Sequence, residues 1–208
     1  MMARRSCEGG FSLIEVGVVM ALIALLAAGL GLALGGGGRG AAQRAGESTL
    51  AGFVSAARQN ALLHGAEVRM LVANDDDDLE SYRRHVGLIV QATDERGFPI
   101  ANTWQALSDG VWLPRGVRVA VDGARGDAMA GHEMALDFPR AGPVVAGGGT
   151  PWHYLRFDAR GRCLTPGVVA LAPGSPASGE GGDVPPEVAR TGFMVFRLGG
   201  IARMEGGW

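Results

Sequence analysis

The chain contains no lysine: all 19 basic residues are arginine, against 21 acidic ones, and the formal net charge is −2. No overall positive field exists to hold a polyanion, which argues against a dedicated nucleic-acid binder while leaving a local basic patch open. Charge of either sign is scarce, at 19% of residues. Cysteine is scarcer still: Cys7 and Cys163 are too few for a disulfide framework and say nothing about redox compartment. The four histidines, His64, His85, His132 and His153, never fall in the H-E-x-x-H spacing that puts two metal ligands on one helix face. A G-x-S-x-G nucleophile elbow is missing too. Glycine, in contrast, makes up 35 of 208 residues, more than twice the usual share of about 7%. It clusters at 35–40, 147–149 and 179–182, where joints and loops are expected. The length suits one domain with a short segment attached.

Residues 16–38 are an uncharged run of Leu, Ala, Val, Ile and Gly with one Met. As a helix this run extends about 35 Å, enough to cross a bilayer. Arg4 and Arg5 precede it and should remain cytoplasmic, with the bulk of the chain on the other side. A conventional secretory signal shares this outline, but its apolar region usually spans only about 7–15 residues. It also offers no reason for Glu15, a carboxylate at the start of the run. At bilayer depth such a group costs on the order of 2.5–3.5 kcal/mol at the helix centre, less near the interface. A cationic partner removes most of that cost. If the chain is cut after Gly10, the new α-amine of Phe11 lies one helical turn before Glu15, and a neighbouring subunit's amine could pair with it in register.

The sequence Gly10-Phe11-Ser12-Leu13-Ile14-Glu15, followed by the apolar helix, resembles the signal of type IV pilins and type II secretion pseudopilins. The resemblance implies that a prepilin peptidase cuts between Gly10 and Phe11, that Phe11 is N-methylated, and that Glu15 directs entry into a helical filament. It implies these segments: a leader at 1–10, a transmembrane and assembly helix at 11–38, an amphipathic helix at 39–65, and a β-rich periplasmic head at 66–208. The protein would be a single-pass component of the bacterial inner membrane.

Gly35-Gly36-Gly37-Gly38-Arg39-Gly40 satisfies G-x-G-x-x-G literally, but it follows a membrane helix rather than a strand, so no dinucleotide site is expected. Each glycine weakens a helix by about 1 kcal/mol relative to alanine, and a break or hinge is expected here. Beyond it, Leu50, Phe53, Val54, Ala57, Ala61 and Leu62 recur at helical spacing and predict one buried face. Arg44, Glu47, Arg58 and Gln59 occupy other faces, and Gly65 suits a left-handed cap. Short β-rich runs follow at 68–73, 82–92, 117–121, 134–138, 152–157, 168–171 and 193–198. One helix followed by seven strands predicts an α+β domain, an antiparallel sheet packed on the helix. The pattern Leu50-x-x-Phe53-x-x-x-Ala57-Arg58-x-x-Ala61-Leu62-x-x-Gly65 is similar to the helix of H-type minor pseudopilins and FimT-like and FimU-like minor pilins. Two later pieces, 111–119 and Phe157-Asp158-x-x-Gly161-Arg162, are similar to strand-turn-strand pieces of the same group.

No catalytic, cofactor-binding or metal residue emerges, and no enzyme activity is expected. The acidic run 75–78 lacks EF-hand spacing and reads as a solvated hairpin loop. Arg162 beside Cys163 could depress the thiol's pKa, but one cationic neighbour is weak grounds and a structural thiol is the preferred reading. Arg83 and Arg84 are adjacent in an expected strand and should point to opposite faces. Arg190, Arg197 and Arg203, among Phe193, Phe196 and Trp208, could bind DNA, yet alternation along 193–198 yields no clean basic face. The sequence is read as an H-type minor pseudopilin at or near a pseudopilus tip, with other minor and major pseudopilins, the prepilin peptidase, the inner membrane and exported proteins as partners. A minor type IV pilin serving adhesion, twitching or DNA uptake is the alternative, and an unrelated membrane-tethered or secreted binding domain is the third reading.

Overall fold

In a computed structural model, residues 13–121, 126–174 and 191–204 are described. They divide into two compact units, 1–40 and 41–208. The boundary falls at the end of the glycine run. One helix, α1 (Leu13–His64), is continuous through Gly35 to Gly40, so the expected break in helical hydrogen bonding is not found. Glycine's preference is a weak force, and a long helix overrides it. Gly65 closes α1 at φ 59°, in the left-handed cap conformation.

Among the described residues eleven strands follow: β1 (Val68–Ala73), β2 (His85–Thr93), β3 (Pro99–Ala106), β4 (Val111–Trp112), β5 (Val117–Ala120), β6 (Glu133–Leu136), β7 (Pro143–Val145), β8 (Thr150–Phe157), β9 (Gly167–Pro173), β10 (Thr191–Val195) and β11 (Ile201–Met204). They form two sheets whose ladders are all antiparallel. The larger has the order β6-β8-β1-β2-β3-β7, with β4 on β2, and the smaller has β11-β10-β9-β5. The architecture is α+β, a helix packed on antiparallel sheet, as one helix followed by short β-rich runs predicted.

The main core lies where Leu50, Val54, Ala57 and Ala61 of α1 meet one face of each sheet. Val68, Met70 and Val72 of β1, with Leu155 and Phe157 of β8, come from the larger sheet, and Val169, Leu171, Phe193 and Val195 come from the smaller. Phe53 packs on this core only in part, and Leu62 is half exposed. At Leu62, in the last turn, the cover is a glycine turn: a Cβ on Gly161 would stand 3.0 Å from Leu62 Cγ. The opposite face of the larger sheet carries a second core of Leu71, Ile89, Trp104, Leu136, Phe138 and Trp152. Burial on both faces is why β1 is apolar at every position but Arg69 rather than alternating.

Candidate functional site

The N-terminal segment holds the residues expected to be processed and assembled. Gly10 and Phe11 lie outside the described residues, as does Cys7. Glu15 is in α1, with its side chain outside the description. Around it, Ile14, Val16, Val18, Val19, Met20, Leu22 and Ile23 are all about half exposed or more, Ile14 at 80%. At 100° per residue these positions take up about two thirds of the helix circumference, and Gly17, Ala21 and Ala24, also exposed, fill the rest; a helix apolar all round is built for burial in a membrane or against other protein. Among the described residues no helix is long and apolar enough to cross a membrane. The side chains at 25–39, most of the uncharged run, are not among them.

In the head, several expected site residues have structural work. Arg203 reaches from β11 to α1, its Nε 2.9 Å from Glu47 Oε1 and Nη2 3.0 Å from Oε2. Glu47, expected on a polar face, is therefore buried. The strand expected to run to 198 stops at Val195, because Phe196 N–H donates to Gly200 and Gly199 turns back at φ 77°. Phe193 is in the core, whereas Phe196 and Arg197 are exposed on the turn. Arg190 and Trp208 lie outside the described residues. The candidate DNA-binding arginines do not gather into one face among the described residues.

Arg83 and Arg84 are not in a strand, which corrects the expectation of opposite faces. The N–H groups of Ser81 and Tyr82 donate to Asp78 O and that of His85 to Ser81 O, winding 78–85 into a tight turn with Arg83 at φ 55°. Arg84 is buried and donates to Leu113 O at 3.0 Å. The acidic run precedes this turn. Carboxylate oxygens of Asp75, Asp76 and Asp77 come within 4.8 Å of one another, while the backbone N–H groups of Asp77 and Glu80 donate to Asp75 and Asp78.

Cys163 is buried with no disulfide. Burial pushes its thiol up, more than contacts with Thr165 lower it. Arg162 does not activate it, because its guanidinium is 2.7 Å from Asp158. The histidines are dispersed. His64 is exposed at the end of α1, and His85 is stacked on Trp112 at 4.7 Å. His132 is tilted against Tyr154.

Two arrangements escaped sequence reasoning. Arg69 and Arg156 face each other across the β1–β8 ladder, an unfavourable juxtaposition of like charges. Glu67 bridges them: Oε1 takes Arg69 Nε at 2.7 Å and Oε2 takes Arg156 Nη2 at 2.8 Å. Arg69 also lies 4.0 Å from the Trp104 ring centroid and 4.4 Å from that of Tyr154. The only hint in the sequence is the two-residue spacing of Glu67 and Arg69, which puts them on one side of an extended strand. The second arrangement is a polar cavity of about 420 Å³ lined by Asn74, Asp76, Tyr82, Arg83, Glu133 and His153, among others. Its residues come from five separate stretches of chain and carry no sequence signature.

Among known proteins, residues 5–31 match the family described as the prokaryotic N-terminal methylation motif. A search of curated proteins finds no match. Among solved structures, the minor pseudopilin EpsH from the type 2 secretion system of Vibrio cholerae is similar, at 13% identity and a TM-score of 0.41, over 78% of this chain and 95% of that one. Likeness at that level carries no functional argument. The methylation motif is a different matter, since it coincides with the residues whose chemistry asked for a cut after Gly10: this chain is type IV prepilin-like at its N-terminus.

Proposed function

We propose that the protein is a minor pseudopilin of the H type, a structural subunit at or near the tip of a type II secretion pseudopilus. The observation that carries the proposal is the methylation motif over residues 5–31 running into a helix whose apolar side chains are uncovered on every side. In this reading the leader 1–10 stays cytoplasmic until the prepilin peptidase cuts between Gly10 and Phe11. Phe11 is N-methylated, segment 11–38 anchors the subunit in the inner membrane, and the head, 66–208, lies in the periplasm on the amphipathic helix 39–65. Glu15 pairs with the N-terminal amine of a neighbouring subunit, which removes the cost of a carboxylate in an apolar setting. The subunit acts by assembly with other minor and major pseudopilins rather than by catalysis, and filament growth moves folded proteins across the outer membrane.

The test is the culture supernatant of a host carrying an in-frame deletion of the gene, compared with wild type, with periplasmic fractions alongside. A defined set of proteins missing outside and accumulating in the periplasm is the expected result. An unchanged supernatant with loss of piliation, adhesion or DNA uptake would support the minor type IV pilin reading instead.

A further inference from the structure

The polar cavity of the head contains a buried group with no hydrogen bond among the described residues. His153, on β8, is only 5% exposed and lines the cavity, yet neither ring nitrogen has a hydrogen-bond partner. Glu133 Oε1 stands 3.4 Å from Nδ1 but is not aligned for a hydrogen bond. A buried polar group without a partner is costly, and native structures rarely leave one unless something else satisfies it.

One residue of the lining is an arginine, Arg83. Its Nε is buried and without a hydrogen bond among the described residues, and its guanidinium lies 5.0 Å from the Tyr82 ring. Its backbone is held at φ 55°, a conformation unfavourable for a long side chain. Arg118 lies over the same ring at 5.5 Å, and Arg83 and Arg84 both act on Arg118 as like charges. Arg84 and Arg118 donate only to backbone carbonyls, those of Glu80, Leu113 and Leu79. Among the described residues no carboxylate is hydrogen-bonded to Arg83, Arg84 or Arg118, and the like charges of Arg83 and Arg84 act on Arg118, a setting that favours an incoming anion. The two acids of the cavity, Asp76 and Glu133, are exposed and so sit at its rim.

We propose that this cavity binds a ligand with a carboxylate and a hydrogen-bond donor beside it, Arg83 and His153 taking the carboxylate while Asp76 and Glu133 take the donor. The planar fork of a guanidinium matches a carboxylate, and a buried imidazole N–H adds one more bond. The rim acids disfavour a polyanion such as nucleic acid. A volume of about 420 Å³ lies within the usual range of small-ligand sites, about 300–1,000 Å³. Two sources share this chemistry: a free α-amino acid, and the C-terminus of a peptide, where the last amide N–H lies beside the carboxylate. The site stands independently of the filament reading.

The test uses the full chain in detergent, isotope-labelled, with NMR signals of the His153 ring and the backbone amides of Asn74 and Gly131 as readout. The probes are triglycine, C-terminally amidated triglycine and free glycine. Saturable shifts with triglycine and none with the amide are expected; shifts with glycine alone would assign the site to free amino acids. Absence of saturable shifts with both carboxylates, or equal shifts with the amide, would overturn the proposal. Arg83→Asn should weaken binding by about tenfold or more, because it removes a charged donor, yet it suits the left-handed backbone and should fold. Arg83→Gly serves as a second variant with the same backbone freedom. Wild-type affinity in a folded variant of either kind would overturn the role of Arg83.

Discussion

Replacing Glu67 by Gln tests whether the head depends on a carboxylate placed between two facing arginines. The substitution keeps the shape and one hydrogen-bond acceptor but removes the charge, leaving Arg69 and Arg156 opposite each other on β1 and β8. Side-chain exposure is 18% for Glu67, 16% for Arg69 and 33% for Arg156, so the cluster is neither fully buried nor a surface pair. Breaking a fully buried pair costs about 3–5 kcal/mol, and an exposed pair is worth about 0–1 kcal/mol. A loss of about 2 kcal/mol is expected here, or a fall in Tm of about 4–8 °C for a domain of this size. The effect has a pH signature. Burial pushes the Glu67 carboxyl up, but hydrogen bonds from Arg156 and Arg69, with their charges, outweigh it and hold the group below its ordinary value of 4.5. The bridge therefore contributes in full above that ordinary value, and its contribution is lost as pH falls through the depressed folded-state value. Thermal unfolding followed by circular dichroism should show the full deficit of Glu67→Gln at pH 7 and a shrinking one as the medium is acidified below the ordinary value. Equal melting of the two proteins at pH 7, or a deficit unchanged in acid, would refute the reasoning.

Cys163, buried and with its thiol pushed up by burial, should react with a thiol reagent only on unfolding; rapid labelling of the native chain would contradict the structural reading. Gly199→Ala should destabilise more than Gly97→Ala, although both residues have a positive φ near 80°. A Cβ on Gly199 would lie 2.6 Å from Gly161 O and 2.7 Å from Arg58 Cδ, whereas one on Gly97 meets open space; equal losses of Tm would show that backbone strain alone decides. Glu15→Ala should be cleaved nearly as well as wild type yet be missing from sheared filaments, and normal incorporation on immunoblots would refute the proposed pairing.

How much of this was legible depends on what each residue does locally. The α1 face of Leu50, Val54, Ala57 and Ala61, its end at Gly65, and β1 were readable because periodicity, a cap and burial on both faces are local signals. Strands β3, β7 and β11 were missed, and β4 was reached only through the resemblance of 111–119 to a strand-turn-strand piece. They are short or largely exposed, so their alternation is weak, and Pro99 and Pro143 open two of them. The range 82–92 began too early because the turn ending at His85 depends on hydrogen bonds back to Asp78 and Ser81, which apolar periodicity does not register. Arg203 looked like a surface cation because its partner, Glu47, is more than 150 residues away. The same distance problem hid the cavity around His153. In contrast, Gly10, Phe11 and Glu15 are a linear motif, and the family match over 5–31 falls on them.

The most direct test of the prepilin reading is mass spectrometry of the N-terminus of the protein isolated from host membranes. The account predicts a chain beginning at Phe11 with one methyl group on its α-amine. An intact Met1, or a cut among the small residues near Ala42, would contradict it.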